Sequence, residues 1–309
     1  MEYVEELRKV NIKYLVLKKI KKVFMFLNIK EWLIIYRLRK SKRLFYIKEV
    51  KEYFNDSDVF AFGTGGSISN LKDFDRLKDK NVMFVTTGPL YCYLKYGFMP
   101  NMWFVHNPPS VEVLIDEAKK LNLIDKLDFS KTFIFVPSNY SDSKDVEFSS
   151  KTFKKFRRLI NDKAIYVLYE EKWKGYIPGD KNIDNYLDNS YPIIPMMGSS
   201  VENIFLPFLN FIGVKNIFFS GVDHMDTGHF WDREKLYQDI HGKSLNFQEI
   251  QSNNFILECG KIARVKCKEK GINVYRLEKK ETVLKDYEYI KFNEAFKMAN
   301  ERITSKELK

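Results

Sequence analysis

The sequence predicts an α/β fold: a Rossmann-like, mostly parallel sheet flanked by helices. We expect a single nucleotide-binding domain with a lid insertion and a basic N-terminal helical arm. Short apolar runs alternate with helix-like segments from residue 58 onward, which is typical of right-handed strand–helix–strand units. Small or polar residues follow several of these runs, at the edge where such sheets bind ligands. The excess positive charge lies before residue 52.

The first predicted strand, residues 58–62, ends in a glycine-rich turn. The turn consists of Gly63, Thr64, Gly65, Gly66 and Ser67. Glycine permits a sharp turn and a close approach of the backbone to a ligand, and free N–H groups at a helix start suit a phosphate. The turn has neither the Rossmann fingerprint nor the lysine of a P-loop. A tight turn without a ligand is therefore the alternative.

The composition limits the class of protein. The chain has 309 residues, of which 45% are hydrophobic and 16% aromatic, enough for one large core. Its three cysteines show no paired spacing, so we expect no disulfide framework and no zinc site, as in a reducing, cytoplasmic compartment.

The charge is unevenly placed along the chain. Residues 1–51 hold 15 Lys/Arg against 5 Glu, a net +10 of the total +11. The remainder is close to neutral, which argues against a nucleic-acid channel and predicts no nucleic-acid partner.

The first 56 residues are predicted to form a basic amphipathic helical arm. Its apolar stretches, such as residues 23–29, fall short of the about 20 residues that span a bilayer. Nor does a signal-peptide cleavage pattern follow. We expect residues 1–52 to contact an anionic membrane from the cytoplasmic side, peripherally on its inner face. A helical arm on the core or a homo-oligomer contact is the alternative.

The nucleotide-binding domain is predicted to span residues 57–278, with lid or insertion segments at 170–198 and 224–250 and a charged, helical tail at 279–309. The predicted strands are 58–62, 81–86, 102–106, 132–136, 164–169, 216–220 and 272–277. The predicted helices are 71–77, 90–96, 111–121, 151–160, 201–212 and 250–270. Pro207 lies inside one of them and should kink it.

Further candidate binding residues follow the strands or precede a helix. They are Thr86, Thr87, Asn107, Ser199, Ser200, Gly221 and Asp223. Parallel strands bring their carboxyl ends to one edge of the sheet, so we expect these residues to line a common nucleotide site.

Three collinear blocks, Gly63–Ser67, Val105–Pro108 and Gly213–Asp223, resemble motifs of the bacterial sialyltransferases of glycosyltransferase family 42. They also resemble the related motility-accessory-factor and archaeal pterin-diphosphokinase-like proteins. The resemblance covers residues 57–278. It implies a CMP-activated nonulosonate donor, inversion at the anomeric carbon, and no obligatory metal or other cofactor.

The resemblance also implies roles for single positions. The glycine turn would meet the nucleotide phosphate, and Asn107 matches an asparagine that contacts the nucleotide. Thr87 falls where the family has another asparagine, Ser199 or Ser200 lies near a Thr-Ser pair that contacts the donor, and Asp223 matches the aspartate of the third block.

The sequence departs from the family pattern at several positions. Thr64 and Gly66 replace an asparagine and a proline. Met225 stands where a tyrosine stabilises the leaving phosphate, and Tyr237 is a candidate substitute. Asn254 aligns with the family's histidine base, and His241 is the nearest histidine to it.

Sugar transfer needs a base for the acceptor hydroxyl, and histidine suits that role near neutral pH. His241 is the candidate base, with a solvated loop histidine as the alternative. His229 is a candidate acid/base or acceptor-binding residue. The polar cluster at 223–232 could bind a divalent cation, but no second cluster completes a shell, so we predict no metal site.

The sequence thus predicts a sialyltransferase-like glycosyltransferase acting in polysaccharide biosynthesis. It would use a nucleotide sugar and a cell-surface glycan or glycolipid acceptor. An ATP- and Mg²⁺-dependent pyrophosphoryl transferase and an inactive scaffold are the alternatives.

Overall fold

The structure is a computed structural model that describes residues 36–85, 87–105, 108–139, 164–170, 172–174, 186–187, 193–195, 200–222, 253–279, 284–299 and 303. The chain divides into two compact units, Met1–Leu44 and Phe45–Lys309. In the smaller unit, residues 36–40 are helical. A turn follows, in which the Arg43 N–H donates to the Leu38 carbonyl over 2.7 Å.

A nine-stranded sheet has the order β1-β6-β5-β4-β3-β2-β9-β10-β11. Its strands are β1 (Leu44–Tyr46), β2 (Asp58–Phe62), β3 (Val82–Val85), β4 (Met102–Phe104), β5 (Phe133–Asn139), β6 (Ile165–Glu170), β9 (Asn216–Ser220), β10 (Asn273–Arg276) and β11 (Glu288–Tyr289). Every pairing from β6 across to β11 is parallel. The predicted α/β fold with a mostly parallel sheet is confirmed.

The chain changes direction across the sheet between β2 and β9. From β2 it proceeds through β3, β4, β5 and β6 on one side, and then returns to place β9, β10 and β11 on the other. The two strands are paired over their full length, from Asp58 opposite Asn216 to Phe62 opposite Ser220. This is a topological switch point, and ligands of open α/β sheets bind beyond the carboxyl ends of the strands at such points.

The central strands are apolar on both faces because both faces are covered. In β2, Val59 and Ala61 belong to one hydrophobic cluster, whereas Phe60 and Phe62 belong to the other. All four side chains are fully buried. A strand between two layers has no polar face, which explains its continuous apolar run.

The helices are α1 (Ile47–Phe54), α2 (Gly88–Tyr96), α3 (Pro108–Lys120), α4 (Leu206–Phe211), α5 (Asn253–Glu269) and α6 (Phe292–Met298). Short 3₁₀ turns occupy Gly66–Asn70, Phe74–Asp79 and Phe129–Lys131, and a π turn occupies Val201–Phe205. A separate two-stranded parallel sheet pairs β7 (Lys172–Lys174) with β8 (Ile193–Pro195). None of the helices within the described ranges is long and apolar enough to cross a membrane.

The helix predicted at 71–77 is replaced by 3₁₀ turns on either side of Asp73. Asp73 adopts a left-handed conformation, with φ 58°, which ends any regular helix there. The buried residues Ile68, Leu71, Phe74 and Leu77 recur at every third position. That spacing matches the 3₁₀ repeat of about 3.0 residues per turn, so the 3₁₀ turns were predictable from the sequence.

The helix predicted at 201–212 begins as a π turn and continues as α4. The Leu206 N–H donates to the Val201 carbonyl, one residue further back than in an α-helix. Pro207 lies in the first turn of α4, and because proline has no N–H it donates no hydrogen bond to a carbonyl of the preceding π turn. The wider turn therefore takes the place of the predicted kink.

The tail predicted as helical at 279–309 instead supplies β11 and then α6. Tyr289 of β11 pairs with Arg276 of β10, and Ala295 and Ala299 are buried in the second cluster. The sequence analysis ends the N-terminal arm at residue 56, whereas the two compact units of the structure divide between residues 44 and 45. Ile47, Val50 and Phe54 of α1 are buried in the first cluster of the larger unit.

Some predicted elements lie outside the described residues. These are the helix at 151–160, the insertion at 224–250 and most of the segment 170–198.

Candidate functional site

The loops after β2 and β9 meet directly at the switch point. The Gly63 N–H donates to the Ser220 carbonyl over 3.0 Å, and the Gly65 N–H donates to the Gly221 carbonyl over 2.7 Å. These bonds continue the β2–β9 pairing beyond the strands. The predicted binding residues Gly63, Gly65 and Gly221 are therefore brought together.

Two of these positions require glycine. A Cβ atom on Gly63 would lie 2.2 Å from the Gly221 carbonyl oxygen, a backbone atom. Gly221 has φ +75°, and a Cβ there would lie 2.6 Å from Cδ1 of Ile68. The glycines thus let the two loops pack backbone against backbone, and this geometry would exist with or without a ligand.

A third loop joins them through Glu278, which follows β10. The Ser67 hydroxyl donates to Glu278 Oε1 over 2.8 Å, and the Gly221 N–H donates to the same oxygen over 2.8 Å. The Gly221 N–H also approaches Ser67 Oγ at 3.1 Å. Ser67, Gly221 and Glu278 form a closed hydrogen-bonded triangle at the carboxyl ends of β2, β9 and β10.

Glu278 is the residue that the sequence analysis missed. It lies two positions past the end of β10, so the rule applied to the other strand ends would have found it. Its backbone is held by Arg276, whose guanidinium donates to the Glu278 carbonyl and, over 3.0 Å, to the Tyr287 carbonyl.

Ser220, the last residue of β9, places a further polar group at this edge. Its side-chain oxygen is buried and has no hydrogen-bond partner within the described part of the chain. Buried hydroxyls in native proteins are normally satisfied. Ser220 is therefore a candidate contact for a ligand or for a loop that closes the site.

The expected helix start after the glycine turn is only a short 3₁₀ turn, Gly66–Asn70. The remaining turn residues Thr64 and Gly66 are half-buried. On the neighbouring strand, Thr87 is buried after β3 and precedes α2 without a side-chain capping bond. It lies at the same edge of the sheet as the turn because β2 and β3 run parallel.

Ser200 lies on a different element, immediately before the π turn. That turn contains the fully buried Glu202, whose carboxylate accepts from the Tyr287 hydroxyl over 2.6 Å. The Tyr186 hydroxyl donates to the Glu202 carbonyl over 2.7 Å. Burial, with the carboxylate beside it, holds the pKa of Tyr287 well above its usual value. This buried polar cluster fixes the turn that carries Ser200.

The other predicted site residues lie outside the described residues. They are Thr86, Asn107, Ser199, Asp223, His229 and His241. In the described part of the chain, no group of three His, Cys, Asp or Glu side chains could hold a metal ion.

No family model matches the chain, and no curated protein matches its sequence. Among solved structures, it is similar to the monofunctional α-2,3-sialyltransferase Cst-I from Campylobacter jejuni, with a TM-score of 0.43 and 14% identity, covering 75% of this chain and 80% of that one. It is similar to the sialyltransferase CstII from Campylobacter jejuni, solved with the substrate analogue CMP-3FNeuAc, with a TM-score of 0.41 and 17% identity over 80% of this chain and 90% of that one. A CstII variant solved with CMP gives a TM-score of 0.42 and 15% identity, over 75% and 86% of the two chains.

Proposed function

We propose that the protein is a glycosyltransferase that moves a sialic-acid-like nonulosonate from a CMP-linked donor to a glycan or glycolipid acceptor, with inversion and without a metal. One observation carries the proposal. Two of the three sequence blocks that resemble the sialyltransferase motifs, at Gly63–Ser67 and Gly213–Asp223, meet at the topological switch point. Nucleotides bind at such points in open α/β sheets.

The proposed chemistry is a single displacement. The acceptor oxygen attacks the anomeric carbon, the bond from that carbon to the phosphate oxygen breaks, and CMP leaves with the bonding electrons. The proton of the acceptor hydroxyl passes to His241, and donors around the phosphate stabilise the leaving group. His229 would act as a general acid/base or bind the acceptor.

The remaining candidates would bind the nucleotide. Thr87 follows β3, the strand paired with β2, and Ser200 lies immediately before the π turn. We propose the same role, on the basis of their sequence positions, for Thr86, Asn107, Ser199 and Asp223.

The proposal also concerns the acceptor and the location of the enzyme in the cell. A basic, aromatic-rich N-terminal segment would hold the enzyme peripherally on the inner face of an anionic membrane, near a lipid-linked acceptor. A contact between copies of the chain is the other use of this segment.

Thermal melting with CMP, CDP, UDP, GDP and ATP, each with and without Mg²⁺, tests the proposal. A ligand that binds only the folded state raises the melting temperature by mass action. We expect a shift that is selective for CMP and independent of Mg²⁺. A shift only with ATP and Mg²⁺ would point instead to pyrophosphoryl transfer, and no shift with any nucleotide to a scaffold.

Turnover of a CMP-sugar then tests the base. Replacing His241 with Ala should lower kcat about 10²- to 10⁴-fold, the range for a general base, while the CMP-induced melting shift remains. The matched control is His224→Ala, at a histidine in the same insertion to which the proposal gives no role.

A further inference from the structure

Glu278 already occupies the hydrogen-bond donors that a phosphate at the glycine turn would use. Its Oε1 accepts from the Ser67 hydroxyl and from the Gly221 N–H, both over 2.8 Å. These donors belong to the two loops that flank the switch point. The negative charge at this edge is therefore supplied by the protein itself.

A second anion at the same place would be repelled. Like charges at short range disfavour each other, and the half-burial of Glu278, Ser67 and Gly65 reduces the screening by water. The part of a ligand that meets this triangle must instead carry hydrogen-bond donors. In a nucleotide, the ribose hydroxyls are neutral donors of this kind.

We propose that Glu278 is a nucleotide-binding residue whose carboxylate accepts hydrogen bonds from the ribose hydroxyls of the donor nucleotide. The inference rests on the proposed function and names the part of the nucleotide that this edge recognises. It reverses the expectation that the glycine turn holds the phosphate. The phosphate lies further along the carboxyl edge, away from the Ser67–Gly221–Glu278 triangle.

The position of β10 supports this assignment. In dinucleotide-binding Rossmann folds, a carboxylate near the glycine-rich turn accepts a hydrogen bond from a ribose hydroxyl, and here Glu278 brings a carboxylate to the glycine turn from a different strand. Here β10 neighbours β9, whose loop packs on the glycine turn. The Arg276 guanidinium donates to the Glu278 carbonyl, which holds the Glu278 backbone in place at the end of β10.

Calorimetric titration of the full chain with CMP and with 2′,3′-dideoxy-CMP tests the proposal. The wild-type protein should bind CMP about tenfold to a hundredfold more tightly than 2′,3′-dideoxy-CMP, as expected for hydrogen bonds to a charged group. In Glu278→Gln, the amide preserves the size of the side chain and can still accept from Ser67, but the charge is gone. The preference for CMP over the dideoxy compound should fall to within about threefold, since neutral hydrogen bonds are weaker.

Glu288→Gln is the matched control. Glu288 is an exposed glutamate on the neighbouring strand β11, so the same substitution there should leave the preference unchanged. The melting temperature of each variant without ligand reports its folding separately.

Each outcome decides the matter. If wild-type protein binds CMP and dideoxy-CMP equally, or if Glu278→Gln keeps the full preference, Glu278 serves only to join the loops and the inference is wrong while the proposed function stands. If wild-type protein binds no CMP at all, the proposed function fails and the inference fails with it. The wild-type comparison needs no substitution, so equal binding of the two compounds would refute the inference even if Glu278→Gln does not fold.

Discussion

At the scale of single residues, the contact between Gly63 and Gly221 sets the geometry of the candidate site. A Cβ on Gly63 would lie 2.2 Å from a backbone oxygen, and a backbone atom cannot move aside as a flexible side chain can. The close approach brings the loops after β2 and β9 within hydrogen-bond distance of each other. The glycine therefore acts through packing, whatever ligand the site binds.

Gly63→Ala should lower the free energy of unfolding by about 1–3 kcal/mol, the range for forced overpacking. The measurement is urea unfolding monitored by circular dichroism. Gly260→Ala is the control, since its Cβ would meet its nearest atom at an ordinary 3.8 Å inside α5. There we expect a gain of about 0.5–1 kcal/mol from better helix propensity. Equal effects at the two glycines would contradict the close packing.

At the scale of elements, a buried cluster joins the π turn, α5 and the segment after β10. Glu202 of the π turn accepts from Tyr287, and Cys267 of α5 lies in the same environment. Burial first, and the Glu202 carboxylate second, raise the pKa of the Cys267 thiol to about 12, from 9.0. The thiol therefore stays protonated in the folded protein at pH values where the unfolded chain has lost the proton.

This difference predicts a loss of stability at alkaline pH. Below pH 9, both states hold the proton and the contribution is fully present. As the pH rises from 9 towards 12, only the unfolded chain ionises, so the free energy of unfolding should fall by about 1.4 kcal/mol per pH unit. The check is a series of urea unfolding curves between pH 8 and pH 11.

The Cys267→Ala variant distinguishes the contribution of this thiol to the pH dependence of stability from the contributions of other ionisable groups. It should make the decline between about pH 9 and pH 10 shallower than in the wild type, and above about pH 10 the tyrosines of the unfolded chain ionise as well, including Tyr287, whose pKa is raised in the folded protein. The variant loses some packing at every pH, so the slope and not the absolute stability is compared. Parallel curves for wild type and variant would refute the assignment.

At the scale of the whole molecule, segments from the C-terminal part of the chain complete the sheet and its second face. β11 extends the sheet beside β10. In α6, Phe292 packs near Phe60 at 6.1 Å between ring centroids, and Phe296 lies under the Arg76 guanidinium at 4.2 Å. Lys80 donates to the Ala299 carbonyl over 2.6 Å. This C-terminal segment is rich in charged residues, but its apolar side chains thus pack into the core of the larger unit.

The structure also changes how the proposed membrane contact must be tested. Deleting residues 1–52 would remove Ile47 and Val50, which are fully buried in the first cluster. Deleting residues 1–43 keeps α1 and still removes 13 Lys/Arg against 4 Glu. We expect this deletion to abolish sedimentation with vesicles that contain about 30% anionic lipid, since about 1 kcal/mol is contributed by each basic residue near the surface.

A charge-only variant is the control for this deletion. Replacing Lys18, Lys19, Lys21 and Lys22 with Gln keeps the length and the apolar residues, and it should weaken vesicle binding without changing the melting temperature. Full vesicle binding by the 1–43 deletion would refute the membrane role and leave a contact between copies of the chain, which sedimentation velocity would detect.

Much of the fold was predictable because strand patterns are local. The limits of β2 and β9 agree with the sequence prediction at both ends, since a run buried on both faces is apolar throughout. The segment 71–77 was misassigned as an α-helix although the three-residue spacing of its apolar residues was visible, because an α-helical period was assumed. The π turn was not foreseeable, since Pro207 shows only that a regular helix is interrupted there.

The sequence by itself determined the alternation of strands and helices, the parallel sheet, and the glycine turns at the ends of β2 and β9. These follow from hydrophobic periodicity and from the conformational range of glycine, which are properties of short segments. Only the tertiary structure decided that β9 returns beside β2, that residues 288–299 cover the second face, and that Glu278 meets Ser67 and Gly221. The physical reason is that these contacts join residues far apart in the sequence, such as Ser67 and Glu278, which are 211 positions apart, and they form because each segment buries surface that no neighbour in the sequence can cover.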